Sequence, residues 1–141
     1  MSDAQIKVAV CGCGRWGVNH VKTAYSLLGD GLVTVFDTNE ANRSKIAAIS
    51  PSIEFTKDRE EILRDSTIIA IIVATPAETH FALTKEFLLA GKNVLVEKPI
   101  TLHTEEAREL IRGVYKLKDT LLIALDTDKM LNLVTTAVRG A

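Results

Sequence analysis

The hexapeptide Gly12-Cys13-Gly14-Arg15-Trp16-Gly17 fits G-x-G-x-x-G, and Asp37 stands twenty residues beyond Gly17. That spacing suits the cradling of a diphosphate and of the ribose next to it. Gly12 permits a tight turn. Gly14, lacking a Cβ, lets the backbone come close to an anion. Gly17 lets the helix that follows pack tightly on a sheet. Free backbone N–H groups at the mouth of that helix, with its dipole, then face the phosphates. Asp37 accepts hydrogen bonds from ribose hydroxyls and repels a 2′-phosphate. Thr38 and Asn39 follow it with no adjacent arginine, so NAD is favoured over NADP; Arg43, six residues along, tempers the preference. Arg15 either flanks the pyrophosphate or is solvated. Trp16 reads as packing at the start of the helix. The competing explanation of the hexapeptide is a glycine turn used for packing alone.

These residues need elements to hold them, and apolar patterning supplies alternating ones. Residues 5–11 (QIKVAVC) read as a buried strand rich in β-branched side chains. A helix over 16–28 follows the glycine turn, with Val18, Val21, Tyr25 and Leu28 on one face and Gly29-Asp30-Gly31 as its stop. Residues 32–36 form a second strand ending at Asp37. Thr38 or Asn39 caps a helix to about 49, closed by Ser50-Pro51. A short strand (53–56), a short helix (58–64) and the apolar run 67–74 (TIIAIIVA) come next, the last patterned as a central parallel strand. Pro76 suits the first turn of a helix to Ala90, stopped by Gly91. A strand at 93–96, a helix over 104–116, a sixth strand at 120–125 and a last helix over 126–138 complete the series. Strict β-α alternation predicts an α/β fold: a doubly wound, mostly parallel sheet in three α/β/α layers.

Composition narrows the classes. An apolar content of 47% over 141 residues argues for one packed domain and against disorder. A net charge of -1 provides no polybasic footprint, so nucleic acid is not an expected partner. No apolar run approaches the roughly 20 residues that a membrane span needs, and residues 1–7 (MSDAQIK) have no secretory pattern. Cys11 and Cys13 are too close in sequence for a mutual disulfide and read as small packed residues of a protein in a reducing cytoplasm. A redox role for them is the alternative. The three histidines have no metal-ligand spacing, no G-x-S-x-G elbow is present, and Lys57 to Glu61 reads as a solvated helix face.

Three segments together, CGCGRWG (11–17), ATPAETH (74–80) and VEKPI (96–100), resemble the nucleotide-binding half of the Gfo/Idh/MocA oxidoreductases over residues 5–118. The G-x-G-x-W-G turn is similar to that of the branch acting on UDP-activated N-acetyl sugars and their uronic acids. The resemblance implies a Rossmann domain binding NAD. It places Thr75, Pro76 and His80 along the cofactor cleft after the fourth strand. It places Glu97 and Lys98 after the fifth, with Lys98 aimed at the nicotinamide and the substrate. A cation there would stabilise the alkoxide that develops as hydride leaves a hydroxyl, and partial burial would help it exchange a proton. A cis bond before Pro99 fits the same turn. Taken singly, Glu-Lys-Pro reads as a surface turn, Thr-Pro as a helix start and His80 as a half-buried histidine. Their recurrence at successive strand ends favours the site. His20 and His103 read as surface or packing residues.

The chain departs from the pattern near its end. Ala124-Leu125 stand where the resemblance implies glycine-histidine, and residues 126–141 do not continue the family's second, substrate-binding domain. Residues 1–125 are therefore expected to form the dinucleotide domain and 126–141 a helix in place of that second domain. A shortened, frameshifted or isolated first domain is the expectation. Self-association through apolar surface is a further one. Three functions compete: the cofactor domain of a sugar or sugar-nucleotide oxidoreductase, inactive alone; a stand-alone NAD-binding sensor without catalysis; and a redox-responsive protein using its two cysteines.

Overall fold

The computed structural model describes residues 5–116 and 122–124. The strands are β1 (Lys7–Cys11), β2 (Val33–Phe36), β3 (Glu54–Thr56), β4 (Ile68–Val73), β5 (Asn93–Val96) and β6 (Leu122–Ala124). The helices are α1 (Gly17–Leu28), α2 (Arg43–Ile49), α3 (Arg59–Arg64), α4 (His80–Leu89) and α5 (Thr104–Lys116). All strand pairs are parallel, in one six-stranded sheet of order β3-β2-β1-β4-β5-β6. The order reverses between β1 and β4, which opens a crevice at the carboxyl ends of those two strands. The helix expected over 126–138 lies outside the described residues.

Strand alternation divides the core into two layers. Val10 and Ile72 face α1 and α2, where Val21, Ala24 and Ile46 pack. Ala9, Cys11, Ile71 and Val73 face the other side, with Ile62, Phe87 and Leu110 of α3, α4 and α5. The expected face of α1 shifts: Leu28 is exposed, and Ala24 takes the buried position. Leu28 is the last residue of the helix, so no further turn carries it over the sheet. β4 is interior, yet Ile69 near its amino end is exposed, so the apolar run overstates burial there.

Helix starts follow local chemistry. Asp58 accepts a hydrogen bond from the Glu60 amide and caps α3. Asn39 does the same for Ala41 ahead of a short 3-10 turn, Glu40–Asn42, that precedes α2. Pro76 is not inside a helix: its ψ of 143° is extended, and a 3-10 turn, Ala77–Thr79, intervenes before α4. Lys92 is buried, and its Nζ donates to the carbonyls of Asp65 (2.6 Å) and Ile68 (2.8 Å) beneath β4. Burial pulls its pKa down, against the opposing influence of the Asp65 carboxylate.

Candidate functional site

The three motif glycines meet three different constraints. Gly12 has a φ of +86°, and a Cβ there would lie 2.8 Å from the Ala74 carbonyl oxygen. A Cβ on Gly17 would lie 1.8 Å from the Gly12 carbonyl oxygen, so the first turn of α1 sits directly on the loop. A Cβ on Gly14 would meet nothing within 4 Å; it would project into open space. The loop thus folds back on itself at Gly12 and Gly17 and stays bare at Gly14.

The backbone N–H groups of Gly14, Arg15 and Trp16 make no hydrogen bond among the described residues, whereas the Gly12 and Val18 amides donate to Phe36 and Gly14 carbonyls. These unused donors stand at the amino mouth of α1, where its dipole is positive. Gly14, Arg15 and Trp16 line a cleft of about 430 Å³ with Asp37, Thr38, Asn42, Thr75 and Pro76. The cleft lies over the carboxyl ends of β1, β2 and β4. Trp16 is 60% exposed and lines it, which corrects the expectation that its ring packs at the start of the helix. Its position at the turn, before the helical stripe begins, directs the indole away from the core.

Asp37 closes one end of the cleft. Its Oδ2 accepts from the Cys13 amide (2.9 Å), the Cys13 thiol (3.0 Å) and Asn42 Nδ2 (3.1 Å), and its Oδ1 from the Asn39 amide (2.7 Å). Desolvation pushes the carboxyl upward, but these bonds together outweigh it and hold the pKa below the usual value. Asp37 is an anion tied to the glycine loop. Asn42, which the sequence did not single out, is buried and is itself oriented by Lys45, whose Nζ donates to Asn42 Oδ1 at 3.1 Å.

The cysteines are both fully buried and unbridged. Burial pushes the Cys13 thiol up to about 12, with the Asp37 carboxylate adding to the effect. Burial raises the Cys11 thiol as well. Neither offers a thiolate for redox chemistry, so that reading is set aside.

Thr75 and Pro76, after β4, line the same cleft, and the turn after β5 is tied to them through His80. His80 is 1% exposed, and its ring nitrogens sit 2.7 Å from the Pro99 carbonyl oxygen and 2.8 Å from that of Thr75. It ties the two turns together from below and does not line the cleft. The Lys98–Pro99 peptide is cis, and Lys98 is exposed. Glu97 is largely buried, and its carboxylate meets His20 Nε2 at 2.5 Å. His20, expected as a surface or packing residue, therefore belongs to this region. A histidine one turn into α1, three residues after Gly17, was the available signal. Among the described residues no group of three or more His, Cys, Asp or Glu gathers as a metal site would require.

Fold and loop define a Rossmann dinucleotide-binding domain. The model of the oxidoreductase family with an NAD-binding Rossmann fold matches residues 6–125, and the chain belongs to this family, Gfo/Idh/MocA. It is 34% identical over 122 residues to scyllo-inositol 2-dehydrogenase (NAD(+)) of Bacillus subtilis, covering 86% of this chain and 35% of that protein. The crystal structure of GenD2 from gentamicin A biosynthesis, in complex with NAD, superposes with a TM-score of 0.74 at 32% identity, covering 85% of this chain and 34% of that one. UDP-N-acetylglucosamine 3-dehydrogenase GnnA from Acidithiobacillus ferrooxidans gives 0.73 at 30% identity, covering 84% and 37%. The chain thus spans about a third of the length of these relatives. Its cofactor is NAD, and the residues present fit it: bare amides at a helix mouth, a loop position open at Gly14, and a carboxylate beyond.

Proposed function

We propose that this chain forms the cofactor side of a dehydrogenase that moves a hydride between NAD and a hydroxyl of a sugar, cyclitol or sugar nucleotide. The observation that carries the reading is the row of unused amides at Gly14, Arg15 and Trp16, in one cleft with the Asp37 carboxylate. In this reading those amides and the α1 dipole hold the pyrophosphate. Arg15 and Trp16 border it. Asp37 accepts from the adenosine ribose hydroxyls, and Thr75 and Pro76 form the opposite wall. Bound NAD supplies the hydride acceptor. Lys98 stabilises the developing alkoxide and exchanges its proton, while Glu97, held by His20, and His80 position the turn that carries it. The relatives' substrates support the class, since inositol and UDP-N-acetylglucosamine both present ring hydroxyls.

The finer assignments go with that proposal. Residues 1–125 act as the dinucleotide domain. The unbridged cysteines suit the cytoplasm, and no helix among the described residues is long and apolar enough to cross a membrane. A second copy of the chain is a candidate partner through exposed apolar residues such as Leu27 and Leu89. Calorimetry with NAD and NADP tests the binding role. Saturable NAD binding that Asp37→Ala weakens by about tenfold or more supports it; no binding refutes it. An NADH-production assay over polyols and UDP-sugars then separates a dehydrogenase from a sensor that binds without turnover. Loss of most turnover in Lys98→Ala would place the lysine in the reaction.

A further inference from the structure

We propose that Glu40 is a second determinant of cofactor choice, acting by holding Arg43 away from the ribose end of the cleft. The inference rests on Asp37 as the ribose ligand. A cofactor bearing a 2′-phosphate binds where a cation comes to meet it, and arginine is the side chain best shaped to do so. Repulsion by Asp37 is half of a selective site. The other half is that no nearby cation be free to compensate.

Three cationic side chains, Arg43, Lys45 and Lys57, lie on the segments that follow β2 and β3, while Arg15 lines the cleft on the glycine loop. Each guanidinium nitrogen of Arg43 donates one hydrogen bond. Its Nε and Nη2 donate to the two carboxylate oxygens of Glu40, its Nη1 donates to the Phe55 carbonyl at 3.0 Å, and the guanidinium lies 4.6 Å over the Phe55 ring. Lys57 Nζ is drawn to the same Glu40 carboxylate at 3.6 Å. Lys45 is engaged by Asn42, to whose Oδ1 it donates at 3.1 Å, while Asn42 Nδ2 donates to Asp37. Glu40 stands three residues after Asp37, on the 3-10 turn between the cleft and α2. One exposed carboxylate therefore draws two of the three cations to itself. The Glu40–Arg43 pair is about half exposed, at 51% and 49%, so the competition it sets up is modest.

The test is the dissociation constants of NAD and NADP, by calorimetry, for the wild type, Asp37→Ser, Glu40→Ala, the double variant, and the double variant with Arg43→Leu. Glu40→Ala alone should raise NADP affinity about threefold and leave NAD within about twofold. In the Asp37→Ser background it should raise NADP affinity by about tenfold, and Arg43→Leu should abolish that gain. NADP affinity unmoved by Glu40→Ala in both backgrounds, or a gain that survives Arg43→Leu, overturns the proposal. If Asp37→Ser leaves NAD affinity unchanged, the ribose assignment fails by itself. The role of Glu40 is still decided by whether its gain depends on Arg43.

Discussion

Gly14 and Gly17 share one motif but answer to different physics, and substitution should separate them. A methyl on Gly17 would collide with the Gly12 carbonyl at 1.8 Å, so Gly17→Ala should lower the thermal midpoint sharply or prevent folding. Gly14→Ala meets open space and should melt within about 1 kcal/mol of the wild type, while losing NAD affinity tenfold or more because the methyl occupies the anion's approach. Paired melting and calorimetry check both. Asp37 makes a pH prediction. Its folded pKa lies below the usual value. The stability it contributes is present above the unfolded value of about 4 and is lost as pH falls through the lower folded value. Urea unfolding should show Asp37→Ala destabilised near neutrality, with the difference shrinking in acid; a constant difference would contradict the tie to Cys13, Asn39 and Asn42. The glycines and Asp37 were legible because their spacing encodes a local geometry. His20 and Asn42 were not. The His20–Glu97 contact joins residues 77 apart, and Asn42 meets Asp37 across a turn whose 3-10 geometry no hydrophobic pattern reveals.

Each described element falls within a few residues of its expected place, because strand and helix periods alternate without interruption along the chain. The discrepancies are local and have causes. Pro76 fixes its own φ but leaves ψ free, and the chain uses an extended ψ to clear the cleft before α4 begins. Lys92, between the Gly91 stop and β5, was not singled out, yet it is buried and donates to the carbonyls of Asp65 and Ile68 below β4. Lys92→Met keeps the aliphatic stem and removes that donor. It should cost about 1–3 kcal/mol in chemical denaturation while leaving NAD affinity unchanged. An unaltered unfolding midpoint would show that solvent satisfies those carbonyls. His80 acts at the same scale. By bridging the Thr75 and Pro99 carbonyls it fixes the turns after β4 and β5 relative to each other, a role the T-P-x-x-x-H spacing does not disclose.

At the scale of the whole molecule, the strand order β3-β2-β1-β4-β5-β6 sets the site, because the reversal between β1 and β4 leaves the glycine loop and the Thr75 turn on either side of one crevice. The β-α alternation announced that architecture; strand order itself follows from handed crossovers, which limit the choices to few. The central claim is that three unused amides at the α1 mouth grip the diphosphate of NAD. Amide-resolved NMR of the 15N-labelled chain titrated with NAD tests it most directly. Gly14, Arg15 and Trp16 should show the largest shifts, with Cys13 and Asn39, which donate to Asp37, moving at the same midpoint. NAD binding that leaves those three amides unmoved, or shifts centred on another face of the sheet, would contradict it.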